Sequence, residues 1–424
     1  VEARFFFAFL PGTNRAIERL MNNIPQNNPS VQKEVLAMNK LSVKILTAVL
    51  TFIVGVAVAS LWLRPRFEPV MVVTHVPTTR LEMVFVLDTT GSMTGLIDGA
   101  KQKIWGIVNE VMRESHSSVR IGLVAYRDRG DKYLTQVLPL TEDLDQVYTT
   151  LMDYQADGGG DGPEDVRTAL AEGVHKINWS PDAADLSRVM FLVGDAPPHD
   201  DYNDAADTLS TARIAVQKGI IVNTIQCGFS GDTTDAWRAI ARAGNGEYFS
   251  IASDGGVQAI ASPYDEQLDQ LARRLGATFV PYGLGTGIEG AARRAEAAAT
   301  AGRVETRVAL DAPMAAKADR AVNKALNAKA YIHDLLQDIE NGSVKLEKIE
   351  PAELTDDLRS LSPADREREI EKRLAERREI RSRIMSLANQ REDFIKAEKK
   401  KQRSERDGFD EAVSKTLRLQ LLRK

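Results

Sequence analysis

Apolar and polar positions fall into blocks between about residue 80 and residue 280, and the blocks change period as they go. Leu81–Leu87 is a short apolar run of strand length. Met93–Glu114 then sets Ile97, Ala100, Ile104, Ile107, Val108 and Val111 at helical spacing. Val119–Tyr126 and Leu134–Leu140 predict two strands, paired as a hairpin around the polar turn at 127–133. Helices are predicted over Glu142–Tyr154 and Pro163–Ile177. Val189–Val193 is apolar without interruption, the pattern of a strand covered on both faces. A helix at 207–218, a strand Ile220–Cys227, a helix at 233–243, a strand Glu247–Ile251 and a helix at 264–275 follow. This succession predicts a doubly wound, Rossmann-like α/β domain with a mainly parallel sheet over 80–280.

The pattern changes after Tyr282. Gly283, Gly285, Gly287 and Gly290 make a flexible crossing, and 281–424 then reads as a helical C-terminal region. Val322–Glu340 sets Val322, Ala325, Ile332, Leu336 and Ile339 on one helical face, with Lys329 interrupting it. Ser362-Pro363 starts another helix, Ser as N-cap and Pro in the first turn, running to about 405. Its apolar stripe of Ile370, Ile380, Ile384, Leu387 and Phe394 is thin, and Arg377 and Arg391 occupy heptad positions. That predicts a helix packed on a neighbour, or one that self-associates, rather than a long coiled coil. Phe409–Leu422 is a last amphipathic helix.

At the other end, Ile45–Leu63 contains no charged residue. As a helix it would span about 28 Å, close to the hydrocarbon thickness of a bilayer. A signal peptide cleaved after Ala57-Val58-Ala59 is the rival to an uncleaved single-pass anchor. Lys40 and Lys44 before the segment and Arg64 and Arg66 after it nearly balance. The short basic leader favours a periplasmic or extracellular position for everything beyond residue 66. Residues 1–44 read as a disordered leader or a start-site artefact, Met38 being an ordinary start. The net charge of −5 provides no basic footprint for nucleic acid. Cys227 is the single cysteine, so no disulfide forms within the chain, and its place at the end of a strand suits a small core residue.

Chemistry concentrates where three loops should converge. Asp88-Thr89-Thr90-Gly91-Ser92-Met93 follows the first strand, Gly158–Asp165 (GGGDGPED) lies in the second loop, and Asp195 ends the buried strand. In open α/β sheets ligands bind beyond the carboxyl ends of the strands, where strand order reverses. Carboxylate and hydroxyl oxygens are what hard cations take, so Mg2+ is the expected cofactor, with Ca2+ or Mn2+ as alternatives.

The D-x-T-x-S spacing of Asp88, Thr90 and Ser92, with Asp161 and Asp195, resembles the metal-ion-dependent adhesion site of von Willebrand factor type A domains. The resemblance covers roughly 80–280 and implies a metal-gated protein-binding module of bacterial, membrane-anchored type rather than an enzyme. It implies Thr90 and Ser92 as direct ligands, and Asp88 and Asp195 as ligands directly or through water. It also implies work with other proteins in assembly, adhesion or chaperone-like ATPase systems. The family's second loop normally offers a threonine; here Asp161 stands there. Asp161 coordinates the cation, or else forms a capping box with Glu164 for the helix near Pro163. If Asp161 coordinates, three carboxylates outnumber the charge of a divalent cation.

Other signals are weaker. His199 and Asp200 follow Asp195 and line the same mouth, behind a stiff Pro197-Pro198. Arg129-Gly130-Asp131 sits in a turn, where Gly and Asp are ordinary. Two other functions compete. Asp88-Thr89-Thr90-Gly91-Ser92 also resembles the phosphate-accepting motif of haloacid-dehalogenase-like phosphatases and ATPases, with Asp88 as nucleophile. That chemistry requires a late lysine, and Lys218 is the candidate. The other is a structural scaffold assembled by the helical tail.

Overall fold

The computed structural model describes residues 80–115, 118–160, 162–199, 201–202, 206–253, 255–256, 260–327, 329–402 and 409–421. Residues 1–79, with the leader and the apolar segment 45–63, lie outside the described residues, as do Asp161 and Asp200. Among the described residues no helix is long and apolar enough to cross a membrane.

Six strands form one sheet: β1 (Arg80–Asp88), β2 (Ser118–Tyr126), β3 (Thr135–Thr141), β4 (Leu186–Gly194), β5 (Ile220–Cys227) and β6 (Asn245–Ile251). Their order is β3-β2-β1-β4-β5-β6. All pairs are parallel except the β2–β3 hairpin. The chain winds outward from β1 to β2 and β3, then returns to the other side of β1 with β4. The strand order therefore reverses between β1 and β4, and a crevice opens there at their carboxyl ends. Asp88 ends β1 and Asp195 follows β4 directly, so this topology sets the two acids side by side.

Both sheet faces are buried, as the unbroken apolar strands require. Leu81, Met83, Phe85 and Leu87 pack on one face under α1 (Thr94–Ser115) and α2 (Leu144–Asp153). Val84 and Val86 pack on the other, under α3 (Val166–His175), α4 (Thr208–Gln217) and α5 (Gly231–Ala243). Cys227 is buried in the first core.

The next helix, α6 (Asp265–Gly276), packs away from the sheet. Its Leu268, Leu271 and Leu275 join α8 (Met314–Leu326) and α11 (Pro363–Gln402) in a separate core. The sheet face is instead completed by α12 (Phe409–Leu421), whose Phe409, Ala412, Val413 and Leu417 are buried there. The Phe409 ring lies 5.8 Å from that of Phe85, and Phe85 stacks on Phe191 at 5.4 Å. Gln420 Nε2 donates to Asn223 Oδ1 at 2.8 Å, and Asn223 Nδ2 donates back to Gln420 Oε1 at 3.3 Å. This reciprocal amide pair satisfies two buried side chains and fixes α12 against β5.

Three expectations change. Val322–Glu340 is not one helix: α8 ends at Leu326, and α9 (Leu335–Glu340) begins after a non-helical stretch. Asn327 Oδ1 accepts from Lys329 N at 2.9 Å, His333 has φ +59°, and buried Asp334 accepts from Val280 N at 3.0 Å. Local polar bonding outcompetes the helix there, and Ile332 is left 55% exposed. The helix expected from Pro163 starts at Val166 with Asp165 as its N-cap, accepting from Thr168 N at 2.9 Å. Arg377 and Arg391, read as interruptions, are buried ion-pair anchors. Arg377 pairs with Asp334, and Arg391 bonds Asp265 at 2.6 Å and Asp319 at 2.7 Å. The long helix α11 is thus packed on its neighbours. Between it and α8 lie α9 and the short α10 (Asp356–Arg359), while α7 (Gly287–Asp311) precedes α8.

Candidate functional site

Asp88 is fully buried at the tip of β1. Its Oδ1 accepts from the Thr90 amide at 2.9 Å and from the Thr90 hydroxyl at 2.7 Å. Its Oδ2 has no hydrogen-bond partner among the described residues. The Thr90 and Ser92 hydroxyls stand 3.4 Å apart, Ser92 exposed at the mouth. Thr89 faces the other way: its hydroxyl donates to the Tyr126 carbonyl at 2.8 Å and lies 2.6 Å from the Tyr133 hydroxyl. The alternation of an extended backbone thus aims Asp88 and Thr90 into the crevice and uses Thr89 as an anchor.

The second and third loops are stitched to each other and to the first. Gly91 N donates to Gly158 O at 3.3 Å, and Asp157 N donates to Thr89 O at 3.2 Å. Glu164 N donates to Pro197 O, and His199 N to Glu164 O, both at 3.1 Å. From the far side, Thr233 Oγ1 donates to Asp195 O at 3.3 Å and Trp237 Nε1 to Ala196 O at 3.0 Å. Two glycines permit the close approach. A Cβ on Gly194 would stand 2.6 Å from the Tyr126 hydroxyl and 3.1 Å from Asp88 Oδ2. Gly159, at φ +79°, passes Thr90 and Glu164 where a Cβ would meet both within 3.3 Å.

Glu164 does not take the capping role that the sequence offered as an alternative, a task Asp165 performs. It is 4% exposed, and its Oε2 has no partner among the described residues. Burial, with Asp88, Asp128, Asp131 and Asp195 adding like charge, pushes its carboxyl up to about 9. Burial likewise pushes Asp88 up to about 7, the Asp195 charge adding to the effect and the Thr90 bonds and the nearby Asp195 backbone amide opposing it. The only available signal in the sequence was an acid beside Pro163 in a glycine-rich loop.

A polar rim surrounds this crevice. His199 is buried, with Nδ1 2.8 Å from Asp201 Oδ1 and Nε2 3.7 Å from Asp128 Oδ2. Its ring stacks on Tyr202 at 4.2 Å, and the Tyr202 hydroxyl donates to Asp128 Oδ1 at 3.2 Å. Arg129 lies over the Tyr202 ring at 3.7 Å and bonds Asp165 at 3.2 Å. Asp131 Oδ2 accepts from Gly159 N at 3.1 Å. The Arg-Gly-Asp triplet is therefore engaged in holding its own loops.

Carboxylate and hydroxyl oxygens line the crevice, and among the described residues two buried carboxylate oxygens lack hydrogen-bond partners, a donor set of the kind a divalent cation takes. Among the described residues, no three carboxylate, imidazole or thiolate groups stand at ligand spacing. Asp161 lies outside the described residues, so its part in the site rests on the sequence. Lys218 caps the C-terminal end of α4, just before β5. That is the opposite end of the sheet from Asp88, so the lysine of the phosphate-transfer alternative cannot reach the acid it must serve.

A family model, described as von Willebrand factor A domain, matches residues 82–263. These residues form a von Willebrand factor A domain. The A domain thus runs from β1 to just before α6, and Asp88, Thr90, Ser92, Glu164 and Asp195 all fall within it. Over 123 residues, 29% of its length, the chain is 26% identical to an ariadne-like RING finger protein of Acanthamoeba polyphaga mimivirus, and it spans 12% of that protein. Among solved structures it is similar to proximal thread matrix protein 1 from the mussel byssus, at 12% identity and a TM-score of 0.32, covering 42% of this chain and 43% of that one. It is also similar to the pilus adhesin SpaC from Lactobacillus rhamnosus GG, at 15% identity and a TM-score of 0.33, covering 42% and 28%.

Proposed function

We propose that the A domain binds a protein partner through a face centred on a divalent cation, Mg2+ first among the candidates, and performs no catalysis of its own. The observation that carries this reading is Asp88 Oδ2, buried at the strand-order reversal without a hydrogen-bond partner among the described residues, beside the Thr90 and Ser92 hydroxyls. A buried carboxylate oxygen with no donor is costly unless a cation balances it. Thr90 and Ser92 would ligate the cation directly, Asp88 and Asp195 directly or through water, with Asp161 as a further acid of the second loop. The bound cation would supply a fixed positive centre, and this chain's residues would hold the three loops around it. That an A domain is a protein-interaction module supports the same reading.

The reading extends to location. The uncharged segment Ile45–Leu63 would tether the A domain to a membrane as a single-pass anchor, with the domain on the periplasmic or extracellular side. Affinity capture with the wild type and Asp88→Ala, each in Mg2+ and in chelator, tests the binding mode. Partners lost on both changes are expected. A partner set untouched by either change would overturn the reading.

A further inference from the structure

We infer that Glu164 is itself a ligand of the cation, a third carboxylate beside Asp88 and Asp195. This rests on the cation site proposed above.

Four observations converge on it. Glu164 is almost fully buried, and no hydrogen-bond donor among the described residues reaches its Oε2. The structural task available to it, capping α3, belongs to Asp165. Its backbone is fastened on both sides to the third loop, through Pro197 O and His199 N, so its side chain starts from a fixed position. Gly159 clears the space between it and Thr90, with Glu164 Oε1 and Thr90 Cβ at 3.3 and 3.2 Å from the place a Cβ would take.

The charges that bear most on Glu164 are Asp88, Asp128, Asp131 and Asp195, all of one sign. Among the described residues these acids do not stand at ligand spacing as a group of three. A divalent cation among them would offset their shared sign, with the Glu164 side chain turned toward it. Three carboxylates then exceed the charge of the cation. The site holds its metal without help from a partner, and the metal fastens loops as well as marking the face. A carboxylate also retains a hard cation better than a threonine hydroxyl in the same place.

Manganese binding to the full chain in detergent, followed by electron paramagnetic resonance and calorimetry, tests this with no partner present. Glu164→Gln should weaken Mn2+ binding at least tenfold, whereas Asp161→Asn should change it less. In chelator, Glu164→Gln should melt at or close to the wild-type temperature, because the amide keeps the side chain's volume and no hydrogen bond to Oε2 is lost. Its gain in melting temperature on adding Mn2+ should be smaller than the wild type's. Wild-type affinity in Glu164→Gln, with binding abolished in Asp88→Asn, would overturn the inference and leave the cation site standing. A Glu164→Gln protein that melts well below wild type in chelator would also overturn it, by assigning the side chain a structural task. Absence of Mn2+ binding in the wild type would remove both readings.

Discussion

At the residue scale, the site is held by what is denied to its acids. Asp88 sits at 0% exposure with one oxygen satisfied and one not, and Glu164 lies at 4% among like charges. Both carboxyls are raised, to about 7 and about 9, above the value of about 4 that they hold in an unfolded chain. Between those limits the folded state keeps protons that the unfolded state has lost, so stability falls as pH rises. The full chain in chelator should therefore melt higher near pH 6 than near pH 8.5. Saturating Mg2+ should flatten that slope, since the cation favours the ionised forms. Scanning calorimetry at several pH values checks both; a flat profile in chelator would show that these acids are not buried together. The places of Asp88, Thr90, Ser92 and Asp195 at the strand ends were legible in the sequence because each sits at a fixed offset from an apolar strand. Glu164 was not, because D-x-x-E before a helix reads equally as a cap, and only the backbone shows that Asp165 took that task.

At the element scale, the strands and the helices between them were readable because burial on both sheet faces leaves unbroken apolar runs. The partner of a helix was not readable. The amphipathic pattern of α12 announced a helix but not which surface it covers, since that contact joins residues far apart in the sequence. Likewise the stripe from Val322 to Glu340 kept helical period across a segment that Asn327 and Asp334 break with their own hydrogen bonds. Phe409 is the largest side chain α12 buries, against Phe85. Phe409→Ala should cost about 3–5 kcal/mol in urea unfolding, the usual range for an aromatic removed from a core. A loss below about 1 kcal/mol would mean that α12 only decorates the domain.

At the scale of the whole molecule, the helical region and the A domain share charges as well as apolar surface. Arg320 of α8 is 2% exposed and bonds Asp145 of α2 at 2.8 Å and Glu305 of α7 at 2.6 Å. Lys324 adds a contact to Asp145 at 2.8 Å and lies over the Tyr331 ring at 3.9 Å. Burial alone would raise the Asp145 carboxyl, but Arg320 and Lys324 outweigh it and hold the group well below the usual carboxylate range. Asp145→Asn leaves two buried cations facing Glu305 alone. It should destabilise the protein by about 3–5 kcal/mol, the cost of breaking a buried pair from one side. Chemical denaturation monitored at Trp105, which stacks on Tyr148 of the same helix at 3.9 Å, reads that loss.

The placement of α12 also sets a timetable. During synthesis the sheet is complete once Ile251 has emerged, yet the helix that shields Phe85 and Phe191 begins only at Phe409. At about 5–20 residues per second, that interval lasts roughly 10–30 s. For that time one flank of a finished sheet stands open to water, to other nascent chains and to whatever escorts them. The A domain is thus assembled early and sealed late.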